Sequence, residues 1–498
     1  MSAPIPISTP QWVKTAVFYQ IFPDSFARVI PDHQQWLLNL PVQAWEAPPD
    51  GQSYKGGTLW GILQHLDSLQ DLGITALYLT PVFQSASNHR YHTHDYYQVD
   101  PLLGGNEALF ALRDEIHRRN MYLVLDGVFN HASRGFFQFN DILENGPHSP
   151  WLDWFKIQNW PLAPYTGSRR ANYAGWFNNR ALPEFNHANP AVREYLMRVG
   201  EYWIEQGMDG WRLDVPFCIT EPGFWQEFRQ RIKAINPEAY ITGEIFGDAS
   251  QWLDGEQFDG VMNYVFAEAT LAFAGGDRVQ RKYLPNEGFR PTPALDASGY
   301  AQKITALLAR YPWEIQQTQL NLLDSHDTAR FSTILGADRS SILLSVLLLF
   351  TFPGAPCIYY GDEVGLAGGH DPDCRRAFPA PAQWDQDLRA IYQQIIQIRQ
   401  QCPALQTGRY HVLYAEGLVY SFGRILDSQG AIILVNGDTT PRSASIDLSS
   451  LSLPPQAWST GFLSYGTPTD FSYIAPTLTA TLPPRSALIY TTAPPQSS

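Results

Sequence analysis

Positive charge is scarce in this chain. Lys and Arg number 34 against 48 Asp and Glu, for a formal net charge of −14. Nucleic acid is held by clustered cations, so the balance argues against a nucleic-acid partner. Charge of either sign is thin, at 16% of residues against about 25% in ordinary soluble domains. A neutral substrate is the simplest expectation. Cysteine is also rare. Cys218, Cys357, Cys374 and Cys402 are scattered without ligand spacing, which argues against a disulfide framework or a cysteine metal site. No apolar run is long. The longest, Ile342 to Phe352, is too short to span a bilayer and reads as a buried helix. Met1 to Pro10 has neither the basic patch nor the apolar core of a secretion signal. These absences together predict a soluble, cytoplasmic protein with no membrane partner.

Aromatics, by contrast, are plentiful at 13%, including 15 Trp. They serve either large cores or stacking surfaces for sugar rings and bases. The 498 residues are enough for a large core and more than one domain.

Strand-like runs alternate with helical patterns. The runs are Val17–Phe22, Ile74–Leu79, Met121–Asp126, Met208–Val215, Tyr240–Ile245, Phe258–Val265, Thr318–Leu323 and Cys357–Tyr360. Helical spacing falls over Leu59–Leu72, Asn106–Arg119, Ala191–Glu205, Phe224–Ile235, Ser340–Phe352 and Leu388–Ile398. This rhythm predicts an α/β fold, a parallel (β/α)8 TIM barrel, with a doubly wound open sheet as the alternative. It breaks once. Residues 132–189 are rich in Trp, Asn, Pro and Gly without a period, and a structureless connection of that length is rare, so a domain inserted after strand three is expected there. From about Gly408, short apolar runs between Gly, Pro, Asp and Ser clusters predict an antiparallel C-terminal β-sandwich. The expected division is barrel over 1–131 and 190–403, inserted domain over 132–189, and sandwich over 404–498.

Barrel enzymes carry their active sites at the C-terminal ends of the strands. Strand three ends Asp126-Gly127-Val128-Phe129-Asn130-His131, strand four Arg212-Leu213-Asp214, strand five in Glu244, and strand seven Asp324-Ser325-His326-Asp327. Arg212, two positions before Asp214, lies on the same face of a strand and should keep that carboxyl ionised. Glu244 has apolar neighbours, which raise a carboxyl pKa. An anion to attack and an acid to protonate the leaving oxygen are the two groups that sugar-bond cleavage needs. Buried charge without such a purpose is costly.

The four motifs Asp126–His131, Gly210–Val215, Gly243–Glu244 and Ser325–Asp327, in this order, resemble those of the α-amylase family of glycoside hydrolases. The resemblance implies Asp214 as nucleophile, Glu244 as general acid and base, and Asp327 as a binder of sugar hydroxyls. It implies that Arg212 holds Asp214 ionised, that His131 and His326 bond the sugar, and that Tyr91 stacks beneath it. Leu182-Pro183-Glu184-Phe185-Asn186, Val261–Tyr264 and Gly369–Arg376 are similar to the neopullulanase and cyclomaltodextrinase branch. There Asp371 and Arg375 would grip the sugar some units from the cut. His92, Phe246 and Glu184 depart from the branch's usual Asp, Trp and Lys, which opens the question of linkage preference.

That branch carries an N-terminal domain that mediates dimers. Here the barrel begins near Trp12, as in a short cyanobacterial-type debranching enzyme that this chain resembles. Any homodimer is therefore expected to use another surface. The expected activity is retaining cleavage of α-1,4 or α-1,6 glucosidic bonds in short malto-oligosaccharides, branched oligosaccharides, pullulan or cyclodextrins, with transglycosylation. A glucanotransferase or branching-type transferase keeps the same three carboxyls. A non-catalytic sugar-binding or transporter accessory protein should lose them. The reaction needs no cofactor. Relatives place calcium near Asn130-like residues, but 132–189 has no Asp-rich loop of calcium spacing, and no metal ligands are assigned.

Overall fold

The computed structural model describes residues 7–285, 288–291 and 294–492. Residues 1–6 of the opening segment read above for a secretion signal lie outside them. Eight parallel strands form one sheet: β1 (Phe18–Ile21), β2 (Ala76–Leu79), β3 (Tyr122–Gly127), β4 (Gly210–Leu213), β5 (Tyr240–Gly243), β6 (Gly260–Val261), β7 (Leu320–Asn321) and β8 (Ala355–Tyr359). Their order is β6-β5-β4-β3-β2-β1-β8-β7. The ring closes where Met262 bridges Leu320 in parallel, with Asn263 N donating to Leu320 O at 2.8 Å. The chain is a (β/α)8 barrel. Nearly every strand residue is buried, because helices cover the outside and side chains fill the inside.

The helices follow from their apolar spacing. In Phe224–Ile235 the buried Phe224, Phe228 and Ile232 recur every fourth residue, one stripe facing the sheet. The apolar run from Ile342 lies in helix Arg339–Thr351, buried on almost every side, and its last residue, Phe352, is the extended C-cap. This helix packs between helices Tyr264–Gly275 and Gln386–Gln401. Two expectations need correction. Leu59–Leu72 is two helices, Leu59–Gln64 and Leu66–Leu72, broken at His65 (φ −93°, ψ 0°). The sixth strand stops at Val261, because the Asn263 side chain accepts from Phe266 N at 3.2 Å and starts a helix at Tyr264.

After β3 the chain leaves the barrel. Residues 132–189 hold one α-helix, Phe137–Asn145, three single 3-10 turns, and isolated bridges such as Phe155–Phe185 and Ile157–Tyr173. Isolated bridges impose no period, which explains the patternless sequence. Cohesion comes from rings: Phe139 lies 4.9 Å from Phe155 and 5.0 Å from Tyr173, and Phe155 stacks on Phe185 at 5.2 Å.

The C-terminal part is a β-sandwich of β9 (Arg409–Glu416), β10 (Val419–Leu426), β11 (Gln429–Asn436), β12 (Arg442–Asp447), β13 (Phe462–Tyr465), β14 (Asp470–Ile474), β15 (Thr477–Leu482) and β16 (Ser486–Thr491). One sheet runs β9-β10-β11-β16-β13 and the other β12-β15-β14. Ile432, Leu434 and Leu488 of the first pack against Ile446, Leu478 and Leu482 of the second. The first sheet's other face, with Phe422, Ile433 and Ile489, is continuous with the barrel core. Strands β12 and β15 escape a sequence reading because Ser, Thr and Ala fill much of their length, so period-2 alternation is faint.

Candidate active site

The barrel gathers its ionisable groups at the C-terminal ends of the strands. Asp126 on β3 is in register with Arg212 on β4, and Arg212 with Thr242 on β5. Asp214 follows β4, Glu244 follows β5, and His326 and Asp327 follow β7.

Arg212 is the hub and is fully buried. Its Nη1 donates to Asp126 Oδ1 and Oδ2 at 3.0 and 2.9 Å, and to Asp214 Oδ1 at 3.2 Å. Its Nη2 is ion-paired with Glu244 Oε1 at 2.9 Å. One guanidinium thus fixes three carboxyls from three neighbouring strands, which its planar fork of donors suits. The other Glu244 oxygen accepts from Val215 N at 3.1 Å. Val215 has φ +35°, ψ 50°, the left-handed region that a β-branched residue avoids. Such strain concentrates at functional sites, and here it aims a backbone N–H at Glu244.

The opposite wall is built around Asp327. Its Oδ2 lies 3.2 Å from His326 Nε2 and its Oδ1 3.4 Å from Arg375 Nη2. Arg375 Nη1 holds Asp371 Oδ1 at 2.9 Å, so Asp371, Arg375 and Asp327 form a chain. Tyr91 lies parallel to His326 at 5.5 Å. Its hydroxyl donates to Asp126 Oδ2 at 3.0 Å and meets His326 Nε2 at 2.5 Å. Asp214, Glu244, Asp327, Arg212, Tyr91, His326 and Arg375 therefore belong to one connected cluster.

Two named residues stand outside that network. His131 is buried, with Nε2 unpartnered among the described residues, and its ring lies 5.6 Å from Trp176. Phe246 stacks on Tyr264 at 4.2 Å, whose hydroxyl meets Ser325 Oγ at 2.9 Å. Glu184, the charge-reversed signature residue, pairs with Lys156 at 2.9 Å.

Burial raises Glu244 from its ordinary 4.5 to about 7, with Arg212 opposing and Asp327 assisting. Asp214 is also raised, by burial and then by Glu244, with Arg212 pulling it down. The expectation that Arg212 lowers Asp214 holds for that one interaction, but burial and Glu244 outweigh it. Glu244 and Asp126, gathered on the same guanidinium, add negative charge that opposes the pull of Arg212 on Asp214. The Asp214–Glu244 pair therefore retains one proton to higher pH than free carboxyls do. Asp327 is lowered: burial opposes this, but His326, Arg375 and Arg212 outweigh it. Burial drops His326 and His131 to about 3, so both are neutral near pH 7.

Sequence reading missed Gln20, Tyr78 and the part played by Val215. Tyr78 donates to Asp126 Oδ2 at 2.7 Å and Gln20 Nε2 meets His326 Nδ1 at 2.8 Å. The signal was present for Gln20, a lone amide within the apolar run Val17–Phe22. Calcium does not fit the residues present. Asn130 Oδ1 is buried without a partner. Among the described residues, however, no group of three or more His, Cys, Asp or Glu could hold an ion. One amide oxygen is too little for a cation that takes six to eight oxygens. Among the described residues, no helix is long and apolar enough to cross a membrane.

A parallel barrel whose strand ends converge on an arginine-bridged set of carboxyls defines a barrel enzyme of carboxylate chemistry. The chain belongs to the α-amylase family of glycoside hydrolases: the family's catalytic-domain model matches residues 20–395. It is 58% identical to the debranching enzyme of Nostoc punctiforme over 98% of this chain and 100% of that one, with a TM-score of 0.90. It is 42% identical to a cyclomaltodextrinase from Bacillus sp., covering 86% of this chain and 74% of the relative. Neopullulanase 2 of Thermoactinomyces vulgaris is 40% identical, over 86% and 70% respectively. The resemblance read from the four motifs, including that to the neopullulanase and cyclomaltodextrinase branch, holds over most of the chain.

Proposed function

We propose that this enzyme hydrolyses α-1,4 and α-1,6 glucosidic bonds of short malto-oligosaccharides, branched oligosaccharides, pullulan and cyclodextrins, with retention of configuration and some transglycosylation. The observation that carries the reading is the Arg212 guanidinium shared by Asp126, Asp214 and Glu244, with Asp327 across from them. The cyclodextrin- and pullulan-directed names of the relatives, and the debranching enzyme at 58% identity, support the substrate class.

In this mechanism an Asp214 carboxylate oxygen attacks the anomeric carbon as the glycosidic C–O bond breaks. The proton on Glu244 passes to the leaving oxygen. Glu244, now anionic, takes a proton from water. That water oxygen bonds to the anomeric carbon, and Asp214 departs as carboxylate. The single-proton state of the Asp214–Glu244 pair is the starting state. Asp327, held ionised, binds ring hydroxyls and strengthens its grip as the ring flattens toward the oxocarbenium ion. His131 and His326, both neutral, bond sugar hydroxyls. Tyr91 packs under the same ring, and Phe246, Asp371 and Arg375 contact neighbouring units.

All four cysteines are free thiols in the structure, which supports a reducing, cytoplasmic location. The deciding experiment is a time course on pullulan, maltoheptaose, β-cyclodextrin and a branched cyclodextrin with products identified. Release of reducing ends with the α-anomer formed first is the expected result. Maltoheptaose redistributed into longer and shorter chains, with no net gain of reducing ends, would replace hydrolysis by transfer.

A further inference from the structure

The connection between β1 and helix Leu59–Gln64 folds over a largely enclosed cavity of about 240 Å³, and none of its lining residues belongs to the active-site cluster. Ile30, Leu37, Leu40, Pro41, Val42 and Leu102 supply an apolar wall, to which the Tyr54 ring adds. A sugar does not suit this wall, because its hydroxyls would leave water without gaining partners. Water suits it little better, since each buried molecule needs two to four polar contacts.

The charged groups on the lining differ in what holds them. Asp24 is buried and already engaged: Oδ1 accepts from Arg90 Nη1 at 3.1 Å and Oδ2 from Lys55 N at 2.7 Å. Thr58 Oγ1 donates to Val29 O at 2.6 Å. Arg28 has no such partner. Among the described residues it pairs with no carboxylate, and its Nη2 donates only to Leu37 O, at a long 3.4 Å. A half-buried guanidinium beside an apolar wall is costly without an anion. The backbone fixes where it sits. Gly56 has φ +80°, and a Cβ there would stand 3.0 Å from Val42 Cγ1 and 3.3 Å from Arg28 Nε. The bare glycine thus lets the guanidinium pack against Val42 at the cavity's edge.

We propose that this cavity is a binding site for a monocarboxylate with an apolar tail of medium length. The tail fills the aliphatic wall, and the carboxylate pairs with Arg28, whose planar fork matches two carboxylate oxygens. Such a ligand is chemically unlike a glucan, so the site is distinct from every sugar contact described above. Asp24 on its wall holds Arg90, the residue before Tyr91, so the cavity backs onto the loop that carries an active-site ring.

The proposal does not depend on hydrolysis. Its test is isothermal titration calorimetry of the whole chain with octanoate, hexanoate and 1-octanol. Octanoate is expected to bind at one site per chain, and hexanoate, two methylenes shorter, roughly tenfold more weakly. Arg28→Met should weaken octanoate at least about tenfold, as loss of a charge-assisted contact implies, and leave 1-octanol within about twofold. Val42→Phe, which fills the cavity, should abolish binding of both. If Val42→Phe loses the wild-type circular dichroism spectrum, Leu40→Phe takes its place. Octanoate that does not bind, or that binds Arg28→Met as tightly as wild type, overturns the site, as does undiminished octanoate binding in the filled variant. Equal affinities for hexanoate and octanoate overturn the burial of the tail and the site with it.

Discussion

Gln20 Nε2 lies 2.8 Å from His326 Nδ1, with both side chains buried. An amide nitrogen only donates, so Nδ1 accepts and the imidazole proton resides on Nε2. That nitrogen faces Asp327 Oδ2 at 3.2 Å and the Tyr91 hydroxyl. Gln20, on the first strand, thus sets the tautomer of a histidine that follows the seventh. A Glu at this position would accept from Nδ1 and draw a second proton onto the ring. Gln20→Glu is expected to lower kcat/KM roughly tenfold, on the scale of a buried hydrogen bond. It should add a titration to the pH profile that Gln20→Leu lacks. A Gln20→Glu profile that overlays wild type would falsify this coupling.

The two central carboxyls separate by leaving group. Fluoride departs without protonation, so Glu244→Gln should retain the first fluoride release from α-glucosyl fluoride. It should lose about 10²–10⁴-fold on maltotriose, the range of a general acid. Asp214→Asn should lose both reactions. Stopped-flow fluoride release measures the difference, and equal losses on both substrates in Glu244→Gln would count against its role as the acid.

Activity should fall as the acid deprotonates. Glu244 is raised to about 7, and only its protonated form can serve the leaving oxygen. The alkaline limb of kcat/KM on maltotriose should therefore bend near pH 7, while the limb for α-glucosyl fluoride should be flatter there. Two profiles with the same alkaline limb would contradict the assignment.

Stability carries a related signature. Glu363 is buried and raised to about 7, with Tyr19 donating to Oε1 at 2.9 Å and Gly361 N donating to Oε2 at 3.0 Å. Its folded pKa exceeds the ordinary 4.5, so the folded state binds the extra proton between those values. The stabilisation is complete below about pH 4.5 and is lost as pH rises through about 7, amounting to on the order of 3 kcal/mol. Urea midpoints should fall across this window, and less steeply in Glu363→Gln. Parallel curves for the two proteins would rule the Glu363 contribution out.

Much of this was legible because its signals are local. Asp214 and Glu244 lie at the ends of apolar runs and Asp327 in the polar segment that follows one, and one barrel brings all such ends to one face. The inserted segment was legible only as a break in rhythm, since its order comes from ring contacts between residues far apart in sequence. Strands β12 and β15 were hidden by small residues: burial alternates along both, but Ser, Thr and Ala differ too little in hydropathy to show it.

By itself the sequence determined the barrel, the carboxyl set and the family, because strand periodicity and motif order need no neighbours to be read. Tertiary structure alone decided how charge is shared. It buried Asp214 and Glu244 together around one guanidinium, so that burial raises both against the pull of Arg212 and the pair shares one proton. It also set Gln20 against His326. These are contacts between segments tens to hundreds of residues apart, and proximity of that kind is created only when the ring of strands closes.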